Sequence, residues 1–416
     1  MPESVERLAV TGWGAISPLG VDANSLWSQA LAGQSGIRAL SQSWASDLPA
    51  RMAGQVPGEP FASLEPLLQR RLDRCSQLAL LAARQAWQCA APHRSGVDPR
   101  RVAVVIGTGI GGLASLERQH RQLIDFGAGR VNPLTVPMLI PNAAAAQIAI
   151  DLQLQGGAHA PVSACASGAE ALMLAQMLLR DDRADVVVAG GTEAPVNRLA
   201  LAGFAAMRAL SCRNEEPDQA SRPYSLERDG FVLSEGAGVL VLQRSRDLAS
   251  TAPAPLGWLL SCGSSSDSHH IVAPEPEGMQ AGRAISDALQ RADLTPVDLS
   301  FVQAHATGTP LGDLAESKAL RRSLGSCLDA LPVTAPKGQL GHLLGAAGAV
   351  ETILALQALR HGVVPESVNA DPPDPAIQLA LVQGGPLTLP HSGRERYALK
   401  NAFGFGGHNI SLILAA

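Results

Sequence analysis

Short, unbroken apolar runs rich in β-branched residues constrain this chain most. Val102–Ile106 is one such run, the pattern of a strand buried on both faces. Asp185–Ala189, Gly238–Leu242 and Leu299–Gln303 read the same way. Segments with helical character lie between the runs, near Ala23–Ala32, Ala166–Leu179, Gln280–Ala292 and Ala347–His361. The opening Arg7-Leu-Ala-Val-Thr-Gly-Trp-Gly-Ala-Ile-Ser-Pro-Leu-Gly20 reads as a strand and then a Gly/Pro turn. A strand is predicted near Trp258–Ser261, and Tyr397–Ala402 with Asn409–Ala415 form a final strand pair. Strand alternating with helix along the whole chain predicts an α/β layered fold.

At 416 residues the chain exceeds what one hydrophobic core organises, so two domain-sized halves are predicted. The softer Arg246–Gly257 stretch, with Ser, Thr, Ala and Pro, marks the boundary and gives halves 1–250 and 251–416. Each half carries a strand leading into a Gly-rich turn, a weak sign of duplication, although no identity between the halves is visible. Charged residues make up only 17% of the chain, against 46% hydrophobic, which points to a large interior or a subunit interface.

The net charge of −5 and the lack of a Lys/Arg cluster argue against nucleic-acid binding. The start, Met1-Pro-Glu-Ser-Val-Glu-Arg7, enters a strand pattern without the basic and apolar segments of an export leader, so a cytoplasmic protein is expected. Runs such as Leu78–Ala83 and Val239–Leu242 are too short to cross a bilayer. Six cysteines, at 75, 89, 165, 212, 262 and 327, show no CxxC spacing. Free thiols and no structural zinc are expected.

Four segments have the composition of a chemical site. In Pro161-Val-Ser-Ala-Cys165-Ala-Ser-Gly-Ala-Glu170 a thiol sits at a predicted helix start among small residues. There the helix dipole lowers a thiol pKa, and free backbone N–H groups can face an oxyanion. A buried structural thiol is the commoner fate of a free cysteine. Cys75, Cys89, Cys212, Cys262 and Cys327 lack this setting and read as structural. In Val302-Gln-Ala-His305-Ala-Thr-Gly-Thr-Pro-Leu-Gly-Asp313-Leu-Ala-Glu316 an imidazole leaves a strand end, with Thr307 and Thr309 close by. By itself, a loop histidine is more often a solvated polar residue.

In Ala335-Pro-Lys337-Gly-Gln-Leu-Gly-His342-Leu-Leu-Gly-Ala-Ala-Gly a second histidine precedes a helix, where the cation is disfavoured and a neutral donor is expected. Taken by itself, the segment is better explained as a packed Gly/Ala helix entry with a surface lysine. In Asn401-Ala-Phe-Gly404-Phe405-Gly406-Gly-His-Asn409 glycines flank two aromatics, either as a plain turn or as a backbone brought close to a ligand. Gly107–Gly112 imitates a dinucleotide fingerprint without its spacing or acidic partner, and no phosphate-binding Gly-Lys-Ser/Thr occurs.

Taken together, the four segments resemble the condensing enzymes of the β-ketoacyl synthase I/II type. They occur in that family's order: Cys, then His-x-Thr-Gly-Thr-Pro-x-Gly-Asp, then Lys-x4-His, then Gly-Phe-Gly-Gly. The opening Val-Thr-Gly-x-Gly and Arg228-Asp-Gly-Phe-Val-x-x-Glu-Gly-Ala237 match as well, so the resemblance spans the chain. Val162–Glu170, Ala335-Pro-Lys337 and Gly406-Gly-His-Asn409 are similar to the mycobacterial-type long-chain synthases of fatty-acid synthase II. The resemblance implies a thiolase fold of two similar halves in five αβαβα layers, and an obligate homodimer. It makes Cys165 the acyl-accepting nucleophile and gives His305 and His342 the enolate of malonyl decarboxylation. Lys337 would set the electrostatics around His342, with Glu316 in the same network. The amides of Cys165 and Phe405 would form the oxyanion hole. Phe405 would gate the chamber, Gly404 and Gly406 beside it would line the substrate site, Ile110 would line the acyl pocket, and Thr307 and Thr309 would meet the phosphopantetheine arm. That arm would arrive on an acyl carrier protein, and no cofactor of the enzyme's own is implied.

Gly338 and Ala402 stand where the family often has Ser, and His408 stands where many relatives have Thr. A thiolase would need a second catalytic cysteine near the C-terminus, but none follows Cys327. A synthase III enzyme would pair Cys and His with Asn in place of His342. A chain-length factor would usually lack the nucleophile. A ketosynthase of a polyketide or other specialised pathway, paired with a chain-length factor, would carry the same motifs.

Overall fold

The computed structural model describes residues 6–94, 96–391 and 393–416. Residues 1–5, part of the N-terminal reading, lie outside these. Eleven strands form the main sheet: β1 Leu8–Ile16, β2 Val102–Gly107, β3 Ala158–His159, β4 Val186–Glu193, β5 Gly236–Arg244, β6 Gly257–Ser266, β7 Leu299–Gln303, β8 Pro332–Thr334, β9 Ala380–Leu381, β10 Tyr397–Gly404 and β11 His408–Ala415. Their order is β9-β8-β7-β10-β11-β6-β1-β5-β4-β2-β3.

The order contains one arrangement twice. In the first half β3 and β4 flank β2 in parallel, then β5 and β1 follow antiparallel. In the second half β8 and β10 flank β7 in parallel, then β11 and β6 follow antiparallel. The repetition survives as topology where sequence identity has faded. The two copies join through the short antiparallel contact Leu8↔Leu259, Ala9↔Trp258 and Val10↔Gly257, and β9 is an extra edge strand on the second copy.

Helices cover both outer faces. Arg74–Cys89 packs on β1, β5 and β4, and Met279–Arg291 packs on β6 and β11. Between the two copies lie Ser167–Arg180, against β2 and β4, and Ala347–His361, which touches β5 of one copy and β10 of the other. The result is the αβαβα layering of the thiolase fold. The central helices are Gly/Ala-rich because they pack on one another nearly backbone to backbone. A Cβ on Gly348 would come within 2.3 Å of Ala169 N, and one on Gly168 within 2.7 Å of Gly345 O.

The predicted elements are present, and the shifts at their ends have local causes. The strand expected at Gly238–Leu242 continues to Arg244, whose guanidinium is buried by ion pairs to Asp182, Asp185 and Asp247. The helix expected from Ala166 begins at Ser167, because Ala164–Ala166 form a tighter 3-10 turn. All six cysteines are free thiols, but Cys89 and Cys212 are exposed and so are not core residues. Among the described residues no helix is long and apolar enough to cross a membrane.

Candidate active site

Both central helices start with the same device. Ala164 (φ 50°) and Leu344 (φ 46°) take left-handed backbone conformations unusual for residues with a Cβ. Each is the first residue of a 3-10 turn, Ala164–Ala166 or Leu344–Ala346, that leads into the helix. The first turn presents Cys165 to a cavity, whereas the corresponding place in the second holds Gly345. Strain held by its surroundings is a common property of functional turns. Here the surroundings include Glu193, at the end of β4. Its buried carboxylate accepts from Thr108 Oγ1 (2.9 Å) and from the amides of Gly109 (2.6 Å), Ile110 (3.2 Å) and Gly345 (3.0 Å). One side chain thereby ties the Gly107–Gly112 loop to the entry of the second central helix. The glycines of that loop answer to packing: a Cβ on Gly107 would lie 2.2 Å from Ser167 O, and one on Gly112 2.0 Å from Met138 O.

Cys165 is 6% exposed, and the amides of Phe405 and of Cys165 itself face its sulfur and favour a negative charge there. Gly404 permits this approach, since a Cβ there would meet Ser163 O at 2.5 Å. Gly406 (φ 86°) and Gly407 (φ 78°) then turn the chain in left-handed conformations. Asn409 Nδ2 donates to Asp267 Oδ1 (2.7 Å) and so anchors the turn. Burial pushes the Cys165 thiol up to about 12, against the pull of the Lys337 charge and the two amides. This corrects the expectation that the helix end lowers it. Removing water from around a thiolate outweighs the field at a helix start, and the sulfur rests as a thiol.

His305 and His342 reach the same cavity, their rings 5.5 Å apart and nearly perpendicular. His305 leaves the end of β7 ahead of Ala306, another left-handed non-glycine residue (φ 40°). Glu316 fixes this bend by accepting from the amides of His305 (2.8 Å) and Ala306 (2.7 Å), from Tyr224 Oη (3.0 Å) and from Asn401 Nδ2 (3.1 Å). Burial is the largest cause holding both imidazoles well below the usual histidine value, with the Lys337 and Lys400 charges adding to it. Neutral His342 was expected from a helix start, but the helix begins only at Ala347, so desolvation supplies the effect.

Lys337 sits elsewhere than its sequence spacing suggests. Its ammonium donates to His305 O (2.5 Å) and lies 3.4 Å from His305 Nδ1, so its direct contact is with His305 and only its field reaches His342. An ammonium can only donate, so Nδ1 is the acceptor and the ring proton belongs on Nε2. Lys337 also pairs with Glu351 Oε1 (2.6 Å), and Lys400 pairs with Oε2 of the same carboxylate (3.0 Å).

Of the residues singled out from sequence, Cys165, His305, His342, Glu316, Phe405, Gly404, Ile110, Thr307 and Thr309 line this one cavity. Lys337 acts from behind the wall, and Gly407 takes the lining place expected of Gly406. Thr309 Oγ1 also caps the helix Pro310–Leu324 by accepting from Gly312 N (3.2 Å), while Thr307 Oγ1 lies 2.9 Å from it. Gly338 has a packing reason to lack a side chain, because a Cβ there would meet Val368 O at 2.6 Å. Sequence reasoning missed Glu193, Glu351, Lys400, Asn401 and Tyr224. For Glu193 and Lys400 a signal existed: each is the lone charge of a largely apolar strand segment.

Residues 5–247 match the family model described as β-ketoacyl synthase, N-terminal domain, and residues 256–371 match β-ketoacyl synthase, C-terminal domain. The 3-oxoacyl-[acyl-carrier-protein] synthase 2 of Staphylococcus aureus (strain N315) is 37% identical over 409 residues, covering 98% of each chain. A ketosynthase solved with its type II PKS acyl-carrier protein superposes with a TM-score of 0.90 at 29% identity, covering 99% of both chains. A ketosynthase solved with its chain length factor, from Xenorhabdus doucetiae, superposes with a TM-score of 0.84 at 26% identity, covering 99% of this chain and 98% of that one.

Proposed function

Since the chain belongs to the β-ketoacyl synthase family, we propose that it extends acyl chains carried on an acyl carrier protein by condensation with malonyl-acyl carrier protein, in fatty-acid elongation. The observation that carries this reading is the convergence of a buried thiol, two backbone amides on its sulfur and two neutral imidazoles in one cavity.

The chemistry follows from those groups. Cys165 Sγ attacks the acyl thioester, the phosphopantetheine thiolate leaves, and the thiol's proton ends on that leaving sulfur. The amides of Cys165 and Phe405 hold the tetrahedral oxyanion. Malonyl thioester then loses carbon dioxide, and the electron pair of the broken C–C bond becomes an enolate. Its oxygen accepts from Nε2–H of His305 and from the His342 ring, neutral donors that are themselves buried. The enolate carbon attacks the acyl-cysteine carbonyl. The new C–C bond forms, the Cys165 thiolate is expelled, and it regains a proton from solvent. Thr307 and Thr309 stand on the wall where the phosphopantetheine arm enters, Ile110 lies along the acyl chain, and Phe405 gates it. The chain supplies every group these steps use, and the phosphopantetheine comes with the carrier.

A homodimer in the cytoplasm is part of the reading, with the chain divided at 250/251 into a nucleophile-bearing and a histidine-bearing domain. Exposed apolar side chains on the successively packed helices Leu113–Phe126, Thr135–Leu139 and Ala143–Leu152, among them Ile124, Phe126, Val136 and Ile150, support a second copy as what covers them. The superposition on a ketosynthase solved with its chain length factor favours one alternative, a specialised-pathway ketosynthase in a heterodimer. Acyl-carrier substrates of increasing length, each supplied with malonyl-carrier, test the function. Formation of 3-oxoacyl-carrier by the protein alone, with a length optimum, supports the reading. Product only when a second, chain-length-factor protein is added favours the alternative, and no product with either sinks both.

A further inference from the structure

Lys400 has no part in the steps above, yet it is among the most thoroughly enclosed charges in the molecule. It lies on β10, one residue before Asn401, and both residues are 0% exposed. A lysine is buried this deeply only when it is paired. Its ammonium contacts Glu351 Oε2 (3.0 Å) and donates to Asn401 O (2.7 Å). Asn401 in turn donates to Glu316, the carboxylate that fixes the His305 bend (3.1 Å), and accepts from Ser411 Oγ (2.9 Å). Lys400 is thereby joined directly to the buried carboxylate of Glu351 and, through its neighbour, to that of Glu316.

The charges can be counted. Lys337, Lys400, Glu351 and Glu316 are 0%, 0%, 0% and 2% exposed, which makes two cations and two anions in an interior closed to counter-ions. The charged groups bearing on Lys400 are Glu351, Lys337 and Glu316, and those bearing on the imidazoles are Lys337, Lys400 and, for His305, His342. With four charges the cluster is neutral, and neither imidazole is drawn to take up a proton. With Lys337 as the only cation, two carboxylates would face one lysine, and a nearby imidazole would be the easiest group to protonate. The extra proton on His305 would sit on Nδ1, against the Lys337 ammonium, and break the contact that places the other proton on Nε2.

We infer that Lys400 is a positioning residue of the condensation: the second cation of a buried, balanced four-charge cluster that keeps the His305–His342 pair uncharged. The inference rests on the function proposed above. Lys400 does not touch substrate and acts through the cluster, so its signature is a pH profile.

The test compares wild type, K400M and the double variant K400M/E351Q, reading carbon dioxide release from malonyl-carrier against pH together with thermal melting. K400M leaves one cation and two anions. Its acid limb is expected to move toward neutral pH by about one unit, as expected for removal of one buried charge near the pair. K400M/E351Q leaves one of each, and its acid limb is expected to return toward that of wild type although a second buried group has been altered. A residue that only fills space would give the opposite ranking, with the double variant the worse. A folded K400M with an unmoved acid limb overturns the inference, as does a double variant whose limb stays displaced. Should K400M fail to melt cooperatively, the double variant decides alone: it must fold and keep the wild-type limb, and failure of either overturns the inference. Absence of carbon dioxide release from the wild type would instead count against the proposed function itself.

Discussion

At the scale of single residues, the histidine pair shows how environment assigns chemistry. His305 and His342 are 8% and 2% exposed, and burial together with two lysine fields holds both below the usual histidine value. Their roles as uncharged donors therefore persist through pH 6.5, where a free imidazole is half protonated. Malonyl decarboxylation measured from pH 8 downward is expected to stay level through pH 6.5 and to fall only below it. An acid limb centred at 6.5 would contradict the burial argument. In the proposed mechanism the two imidazoles serve the enolate and not the thiol, so His342→Ala is expected to lose about 100-fold or more in decarboxylation. The same variant should still accept an acyl group on Cys165. Loss of both activities together in a folded His342→Ala protein would contradict this division of labour.

At the scale of elements, the site depends on how closely backbones approach. The end of β10 lies against the Cys165 turn because Gly404 has no side chain, its missing Cβ being 2.5 Å from Ser163 O. Gly404→Ala must push the Phe405 amide away from the sulfur, at a stability cost of about 1–3 kcal/mol. Rapid-quench measurement of acyl transfer should show a slower rate by about 100-fold, the effect of losing one oxyanion donor. An unaltered rate would show that the Phe405 amide is not needed at the sulfur.

The elements themselves were legible from the sequence because buried strands and Gly/Ala helix starts have local signatures, as Val102–Gly107 and Ala347–His361 illustrate. What stayed hidden is nonlocal. Glu193 joins segments 83 to 152 residues away, and Lys337 meets His305 across 32 residues although His342 is five positions from it in the chain. The thiol's raised pKa was unreadable for the same reason. A helix start is written in neighbouring residues, whereas burial is written in the whole fold.

At the scale of the whole molecule, duplication explains why the site lies where it does. Two copies of one strand order meet with their central helices in contact, which sets the turn bearing Cys165 beside the turn bearing Gly345. The first copy brings Cys165, the proposed nucleophile. From the second, His305 follows β7, and His342 lies between β8 and the helix Ala347–His361. Neither copy is complete alone. Exposed apolar side chains predict a further level of assembly, because Ile124 is 70% and Phe126 64% exposed. Sedimentation should find a dimer, and replacing both residues with Asp should shift it to a monomer. A wild-type protein that sediments as a monomer at micromolar concentration would remove the second copy from the account.

The central claim is that Cys165 carries the acyl chain. Intact-protein mass spectrometry after incubation with acyl-carrier substrate alone tests it most directly. The account predicts a single acyl adduct on the wild-type chain, none on Cys165→Ala, and discharge of the adduct when malonyl-carrier is added. An adduct of equal extent on Cys165→Ala, or none on a folded wild type, would contradict it.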